Sequence, residues 1–180
     1  MKNTYTYILF LALLILTTAG KCHKEKNEEP QLPPETTTGA YTFGCKVNGK
    51  VFVPMDGRGK PGLYAQYVFL GNAPGGGWFL NIPAVDQVSN ERTTVNIGTD
   101  SLLLGDGNIY LFREKKGFAS GRYSNGFERY EMLSFDTGEL TITKHDAIRR
   151  ILSGRFWFNA TNLSNQTKVE IREGRFDIVY

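Results

Sequence analysis

The chain is poor in the residues that usually build metal and redox sites. It contains only two histidines, His23 and His145, and only two cysteines, Cys22 and Cys45, among 180 residues. One histidine and one cysteine lie in the polar segment near the N-terminus, so a cluster of metal ligands is hard to assemble. We therefore predict no metal site and no cofactor.

The chain also lacks an apolar run long enough to cross a membrane. The run at residues 8–16 has nine residues, whereas about 20 are needed to span a bilayer. Lys2 precedes this run and small residues follow it, which is typical of an export signal. We predict that residues 1–21 are a signal peptide.

A strong excess of charge is missing as well. The chain has 21 Lys and Arg against 18 Asp and Glu. Removal of Lys2 and Lys21 with the signal leaves 19 basic residues against 18 acidic ones, a net charge of about +1. A nucleic-acid-binding protein needs a clustered basic face, so we expect no nucleic acid partner.

Cys22 follows the signal at the place where a bacterial lipoprotein carries its acylated cysteine. The sequence TTAGKC that ends at Cys22 resembles a lipobox, although Lys21 stands where a small residue is usual. We predict a lipid anchor on Cys22, with cleavage after Ala19 and ordinary secretion as the alternative. Residues 22–39 are charged and rich in Pro and Thr, which predicts a flexible tether.

Residues 40–180 are predicted to form one domain, because apolar residues alternate with period two in segment after segment. Asn48-Gly49 predicts a hairpin that places Cys45 opposite Phe52. The pattern indicates an antiparallel two-sheet β-sandwich, with a closed or partly open β-barrel as the alternative. The predicted strands are residues 41–47, 63–70, 78–82, 93–97, 109–112, 118–123, 127–134, 139–143, 151–160, 168–172 and 175–180, with a further short strand at 102–104.

Three local predictions concern the C-terminal part of the domain. Apolar residues alternate on both sides of Glu173-Gly174, so a two-residue turn there would join two strands with one apolar face. Residues 145–150 are predicted to form a helical turn with Asp146 as its N-cap. Gly154, inside a predicted strand, indicates a bulge or a close backbone approach.

The candidate catalytic motifs lack the context that their chemistry needs. Gly57-x-Gly59-x-x-Gly62 matches a dinucleotide fingerprint, but it precedes a predicted strand rather than a helix. Cys45 and His145 could form a nucleophilic pair, yet alternation favours a small hydrophobic role for Cys45. We therefore predict no catalytic residues.

Aromatic residues beside polar or glycine-rich segments are the candidate ligand contacts. Tyr64, Trp78 and Phe79 flank the loops 55–62 and 71–77, whereas Trp157 lies on the polar face of strand 151–160. Such rings suit stacking on a sugar, and core packing explains them equally well. These side chains form the predicted ligand-binding set.

Several short segments are distinctive as a set. They are Leu32-Pro33-Pro34 with Thr38-Gly39, Phe43-Gly44-Cys45 with Val47-Asn48-Gly49-Lys50, Gly138-Glu139-Leu140-Thr141-Ile142-Thr143 with Asp146, Ser153-Gly154-x-Phe156 and Gly174-Arg175-Phe176-Asp177. Together they resemble a group of uncharacterised exported lipoproteins of Bacteroidota. The resemblance implies an envelope location and an all-β domain of unknown function, and it transfers no catalytic residue.

The sequence thus predicts a cell-envelope lipoprotein anchored in the outer membrane through Cys22, facing the periplasm or the outside. A soluble secreted or periplasmic protein is the alternative. The first functional hypothesis is a non-catalytic module that binds a glycan or protein partner through loops at one end of the sandwich. A hydrolase of envelope glycans or peptides and a structural subunit of a surface assembly are the competing hypotheses.

Overall fold

The computed structural model describes residues 30–180, and in this range the chain forms β-strands and no helix. The predicted all-β class is therefore confirmed, and nothing in this range resembles a membrane-spanning helix. The eleven strands are β1 (Thr42–Val47), β2 (Lys50–Phe52), β3 (Gln66–Phe69), β4 (Trp78–Val85), β5 (Thr94–Thr99), β6 (Ile109–Leu111), β7 (Ala119–Asn125), β8 (Glu128–Glu131), β9 (Gly138–Asp146), β10 (Ile151–Thr161) and β11 (Lys168–Val179).

The strands form one open antiparallel sheet with two parts. One part has the order β2-β1-β11-β10-β9-β6 and the other has the order β8-β7-β5-β4-β3. The two parts are joined where Thr161 of β10 pairs with Glu131 of β8. They also meet across the core, where the Tyr67 and Tyr180 ring centroids lie 5.4 Å apart. This arrangement is compatible with both predicted architectures, a sandwich and a partly open barrel.

The core is built from every second side chain of the strands, as the period-two pattern predicts. Phe156 and Phe158 of β10 are buried, and the Phe158 ring stacks on Phe112 at 5.4 Å. The predicted pairing of Cys45 with Phe52 is confirmed. Each buried apolar side chain contributes roughly 1.5–3 kcal/mol to the free energy of unfolding.

The predicted hairpin at Glu173-Gly174 is wrong. β11 runs through this point as one strand, and a β-bulge takes up the extra residue. Phe156 pairs with Gly174 and Phe158 with Ile171, so two steps along β10 match three steps along β11. Glu173 adopts a φ of 52°, the left-handed conformation that the bulge requires.

The bulge explains the apolar pattern that was taken to indicate a turn. A single inserted residue reverses the alternation along a strand. Val169 and Ile171 before the bulge and Phe176 and Ile178 after it are therefore all buried on the core face. An apolar pattern that changes from odd to even positions predicts a bulge as well as it predicts a hairpin.

The predicted helical turn at residues 145–150 is also wrong, because β9 continues to Asp146 and a tight turn leads into β10. Asp146 does make the bonds of an N-cap: its Oδ1 accepts the Ile148 and Arg149 amides at 3.1 and 2.9 Å. Here these bonds close a hairpin turn. Residues 102–104 do not form a strand, whereas the irregularity predicted at Gly154 is present as a register shift against β9.

Residues 30–41 lie on the outer face of β1, β11 and β10, and we call them the strap. Pro33 packs on Gly44 of β1, where any side chain would collide with it. The Arg155 Nε donates to Glu35 at 2.7 Å. Residues 30–39 of the predicted tether are thus packed on the domain, whereas residues 22–29 lie outside the described range.

The strap is held mainly by the buried carboxylate of Asp177, which is 1% exposed. This carboxylate accepts the amides of Thr38, Gly39 and Ala40 at 2.9–3.0 Å. It also accepts the hydroxyls of Thr36 at 2.6 Å and of Ser153 at 2.7 Å. Burial alone would raise the pKa of Asp177, but these bonds outweigh it and lower the pKa to about 2.

Candidate functional site

The two loops that were predicted to form one binding end lie at opposite ends of β4. Loop 71–77 connects β3 to the start of β4, and the Leu70 amide donates to Gly77 across it. Loop 55–62 meets the other end, where the Met55 amide donates to Val85 at 3.0 Å. Since β4 has eight residues, these loops are separated by about 23 Å.

The aromatic residues predicted near these loops are not brought together. Trp78 stacks on Tyr67 at 4.8 Å and packs against the core. Phe79, the next residue on the strand, points to the opposite face of the sheet. The Tyr64 amide donates to Pro83 at 3.1 Å, far along β4 from Trp78.

Trp157 and Tyr64 are the exposed members of the predicted ligand-binding set, and Trp157 is the one that lies on a strand. It lies on the outer face of β10 and is 37% exposed. The Arg172 guanidinium lies over one face of the indole, 5.5 Å from its centroid. Glu139 of β9 is its direct partner on the neighbouring strand.

Trp157 borders a shallow cavity of about 350 Å³ between the strap and the outer face of β9, β10 and β11. We call this cavity the Trp157 groove. The bulge at Glu173-Gly174 shapes one side, and Glu35 of the strap shapes another. Its aromatic lining is Trp157 and Phe156, and its polar lining comprises Glu35, Glu139, Thr141, Arg155, Glu173 and Arg175.

Most charges in the Trp157 groove are already matched. Arg155 pairs with Glu35, and the Lys46 Nζ lies 2.6 Å from the Glu173 carboxylate. Such exposed pairs each contribute about 0–1 kcal/mol to stability, but they fix the positions of the side chains. Among the described residues, Glu139 has no cationic partner; its carboxylate accepts the Thr141 hydroxyl at 3.5 Å.

Comparison with known proteins identifies the C-terminal part of the chain. Residues 78–179 match a family described as a domain of unknown function (DUF6252), and this match covers more than half of the chain. The chain belongs to this family. No curated protein and no solved structure matches it significantly.

The matched segment of DUF6252 supplies most of the Trp157 groove but not all of it. Residues from β9, β10 and β11 fall within 78–179, whereas Glu35 precedes that range. Alternation along β10 was enough to identify Trp157 as outward-facing. Glu35 and Glu139 were missed as parts of the site. The residues near them in the sequence do not indicate that the strap folds back or that β9 borders β10.

Cys45 and His145, considered above as a nucleophilic pair, do not contact each other in the structure. Cys45 is fully buried, and desolvation raises the pKa of its thiol well above the usual range. His145 is half-buried, not exposed as predicted. Its Nδ1 lies 2.9 Å from the Leu104 carbonyl oxygen, and its Nε2 lies 2.9 Å from the Tyr180 hydroxyl. Because a carbonyl only accepts, Nδ1 carries the proton. Neither nitrogen is engaged with Cys45.

The other sequence motifs have structural roles in the described range. Gly57 and Lys60 pair across a tight loop that leads to β3, so the glycine fingerprint does not open a helix. Within residues 30–180 there is no group of three or more His, Cys, Asp or Glu side chains arranged to hold a metal ion. The Trp157 groove combines a cavity with a residue of the predicted ligand-binding set, and we take it as the candidate site.

Proposed function

We propose that the protein is a cell-envelope lipoprotein whose β domain binds a ligand or partner without catalysis, and that the Trp157 groove is the binding site. The anchor is the acylated Cys22, which lies outside the described residues together with the signal. The support for export is the sequence pattern of residues 1–22 and the resemblance of the chain to exported lipoproteins.

The observation that carries the binding proposal is the Trp157 groove itself. A half-exposed indole stands beside Glu139 and Arg155 in a cavity of the size that small ligands occupy. Ion pairs and the strap hold the surrounding side chains in place. Preformed positions reduce the entropy that is lost when a ligand binds.

The same geometry is less suited to hydrolysis. A glycoside hydrolase needs one carboxyl group that stays protonated and acts as the acid. Glu35 and Glu173 each lie in an ion pair, with Arg155 and with Lys46, and Glu139 is the one lining carboxylate without a cationic partner among the described residues. The groove thus offers a single unpaired carboxylate, whereas hydrolysis of this kind uses two carboxyl groups that act together.

The binding site can be tested with a photo-crosslinking residue, p-benzoylphenylalanine, in place of Thr141. Irradiation of cell envelopes should give an adduct that disappears when Trp157→Ala is added. The matched control carries the same residue at Phe127, a fully exposed position at the β7–β8 turn. The proposal fails if position 141 gives no adduct or if both positions give adducts of equal intensity.

The anchor is tested separately by metabolic labelling with palmitate. Label should be incorporated by the parent chain and lost in Cys22→Ser, because the thiol is the acylated group. Label that persists in Cys22→Ser would refute the assignment of Cys22. Protein that is secreted without label would support the alternative of cleavage after Ala19.

A further inference from the structure

We infer that the ligand of the Trp157 groove is an uncharged glycan; this rests on the proposed binding function. The inference depends on three properties of the groove: its charge balance, the arrangement of its donors and acceptors, and the exposed indole. Each property excludes one class of ligand or favours a neutral one.

The charge balance disfavours a strongly charged ligand. The groove is lined by three carboxylates, Glu35, Glu139 and Glu173, and by two cations, Arg155 and Arg175. Lys46, which pairs with Glu173 from outside the lining, is the third cation and balances the charge. A free anion would find both arginines of the lining already beside a carboxylate, Arg155 with Glu35 at 2.7 Å and Arg175 with Glu173 at 3.9 Å. An ammonium group would find only Glu139 without a cationic partner among the described residues.

The paired groups still have hydrogen-bonding capacity for a neutral ligand. A guanidinium has five N–H donors and a carboxylate about four lone-pair sites, so a single ion pair leaves several of them open. A sugar hydroxyl donates and accepts at once. Two neighbouring hydroxyls can therefore bridge Arg155 and a carboxylate without breaking the existing pair.

The polar groups also lie in a regular row across the sheet. Thr141, Arg155 and Arg175 are direct register partners on β9, β10 and β11. Neighbouring strands are about 4.8 Å apart, a step comparable with the width of one sugar ring. A chain of sugar units laid across the strands would meet one polar side chain at each step.

The indole of Trp157 supplies the apolar contact. Arg172 lies over one face of the ring, and the partly exposed side chain also lines the groove. Sugar rings have an apolar C–H face that packs on an aromatic side chain, while their hydroxyls point to polar neighbours. An apolar ligand would remove water from the surrounding charged groups without offering them hydrogen bonds in exchange, which is costly.

The test uses the full mature chain, purified in detergent, on an array with three classes of oligosaccharide: neutral, uronic-acid-containing and free-amine-containing. The parent should bind neutral glycans, and Trp157→Ala should weaken that binding about tenfold. Phe127→Ala is the matched control, since Phe127 is a fully exposed aromatic at the β7–β8 turn. It should leave binding unchanged.

A second variant separates neutral from charged recognition. Glu139→Gln keeps the shape and hydrogen-bonding ability of the side chain but removes its charge, so binding of a neutral glycan should fall only about two- to threefold. Complete loss, binding to charged glycans alone, or binding that survives Trp157→Ala would each overturn the inference. If no glycan binds on the array but the crosslink from the groove is observed, the glycan inference is refuted and the binding function is retained. If neither glycan binding nor the crosslink is observed, both proposals are refuted.

Discussion

Asp177→Ala should detach the strap from the domain. In the parent, one buried carboxylate accepts the amides of Thr38, Gly39 and Ala40 and the hydroxyls of Thr36 and Ser153. The methyl group of alanine accepts nothing. The three amides must then stay buried without partners or become exposed to water, and exposure requires the strap to leave the sheet.

The structure gives the magnitude of this effect in two ways. The pKa of Asp177 falls from 3.8 to about 2, which corresponds to about 2 kcal/mol of stabilisation at neutral pH. Each hydrogen bond lost costs about 1 kcal/mol, but a detached strap is solvated and recovers part of that cost. We therefore expect the free energy of unfolding to fall by about 2–4 kcal/mol.

Urea unfolding followed by circular dichroism measures the loss, and amide hydrogen exchange shows where it occurs. In Asp177→Ala the amides of residues 38–40 should lose protection while those of β10 keep it. Ser153→Ala is the matched control, because it removes one bond to the carboxylate but leaves the strap bonds. It should cost about 1 kcal/mol with the strap still protected. Protected strap amides in Asp177→Ala, or a loss below about 0.5 kcal/mol, would refute the reasoning.

Three further predictions concern acid stability, the buried thiol and the bulge. The pKa of Asp177 is lower in the folded protein than in the unfolded chain. Its contribution to the free energy of unfolding is therefore present above pH ~4 and is lost as pH falls towards 2. In acid titrations the stability difference between the parent and Asp177→Asn should shrink over that range. Cys45, whose thiol pKa is raised by burial, should not react with a thiol reagent at pH 8 in folded Cys22→Ser protein and should react after unfolding in urea; equal rates would contradict its burial. Gly174→Ala should lower the free energy of unfolding by about 1–3 kcal/mol, because a Cβ there overlaps the Phe156 ring, and an unchanged urea midpoint would show that the bulge adapts.

The strands were predictable because alternation is a local signal, and β10 shows this most clearly. Its inward residues Leu152, Phe156 and Phe158 and its outward Trp157 follow from period two alone. The hairpin at Asn48-Gly49 was equally readable, since both residues take the positive φ that a tight turn needs. The bulge at Glu173 was not, because a turn and a bulge produce the same pattern of apolar residues.

The candidate site was less predictable because it depends on contacts between distant parts of the chain. Glu35 lies 120 residues from Arg155, with which it forms a wall of the groove. The composition of the strap resembles that of a free linker, and it joins the domain chiefly through the carboxylate of Asp177. Polar residues that satisfy one buried charge leave no periodic signal in the sequence.

The folded unit of this chain is larger than the segment by which its family is identified. That segment, residues 78–179, includes β11 but omits β1, which pairs along one edge of β11 and contributes Phe43 and Cys45 to the core. It also omits the strap, so the buried carboxylate of Asp177 would keep only the Ser153 hydroxyl among the partners that hold it here. Without the strap this carboxylate would also lose its cover and face water, and the uncovered edge of β11 would be open to pairing with another strand. Since Glu35 belongs to the strap, family membership by itself does not carry the complete Trp157 groove to other members.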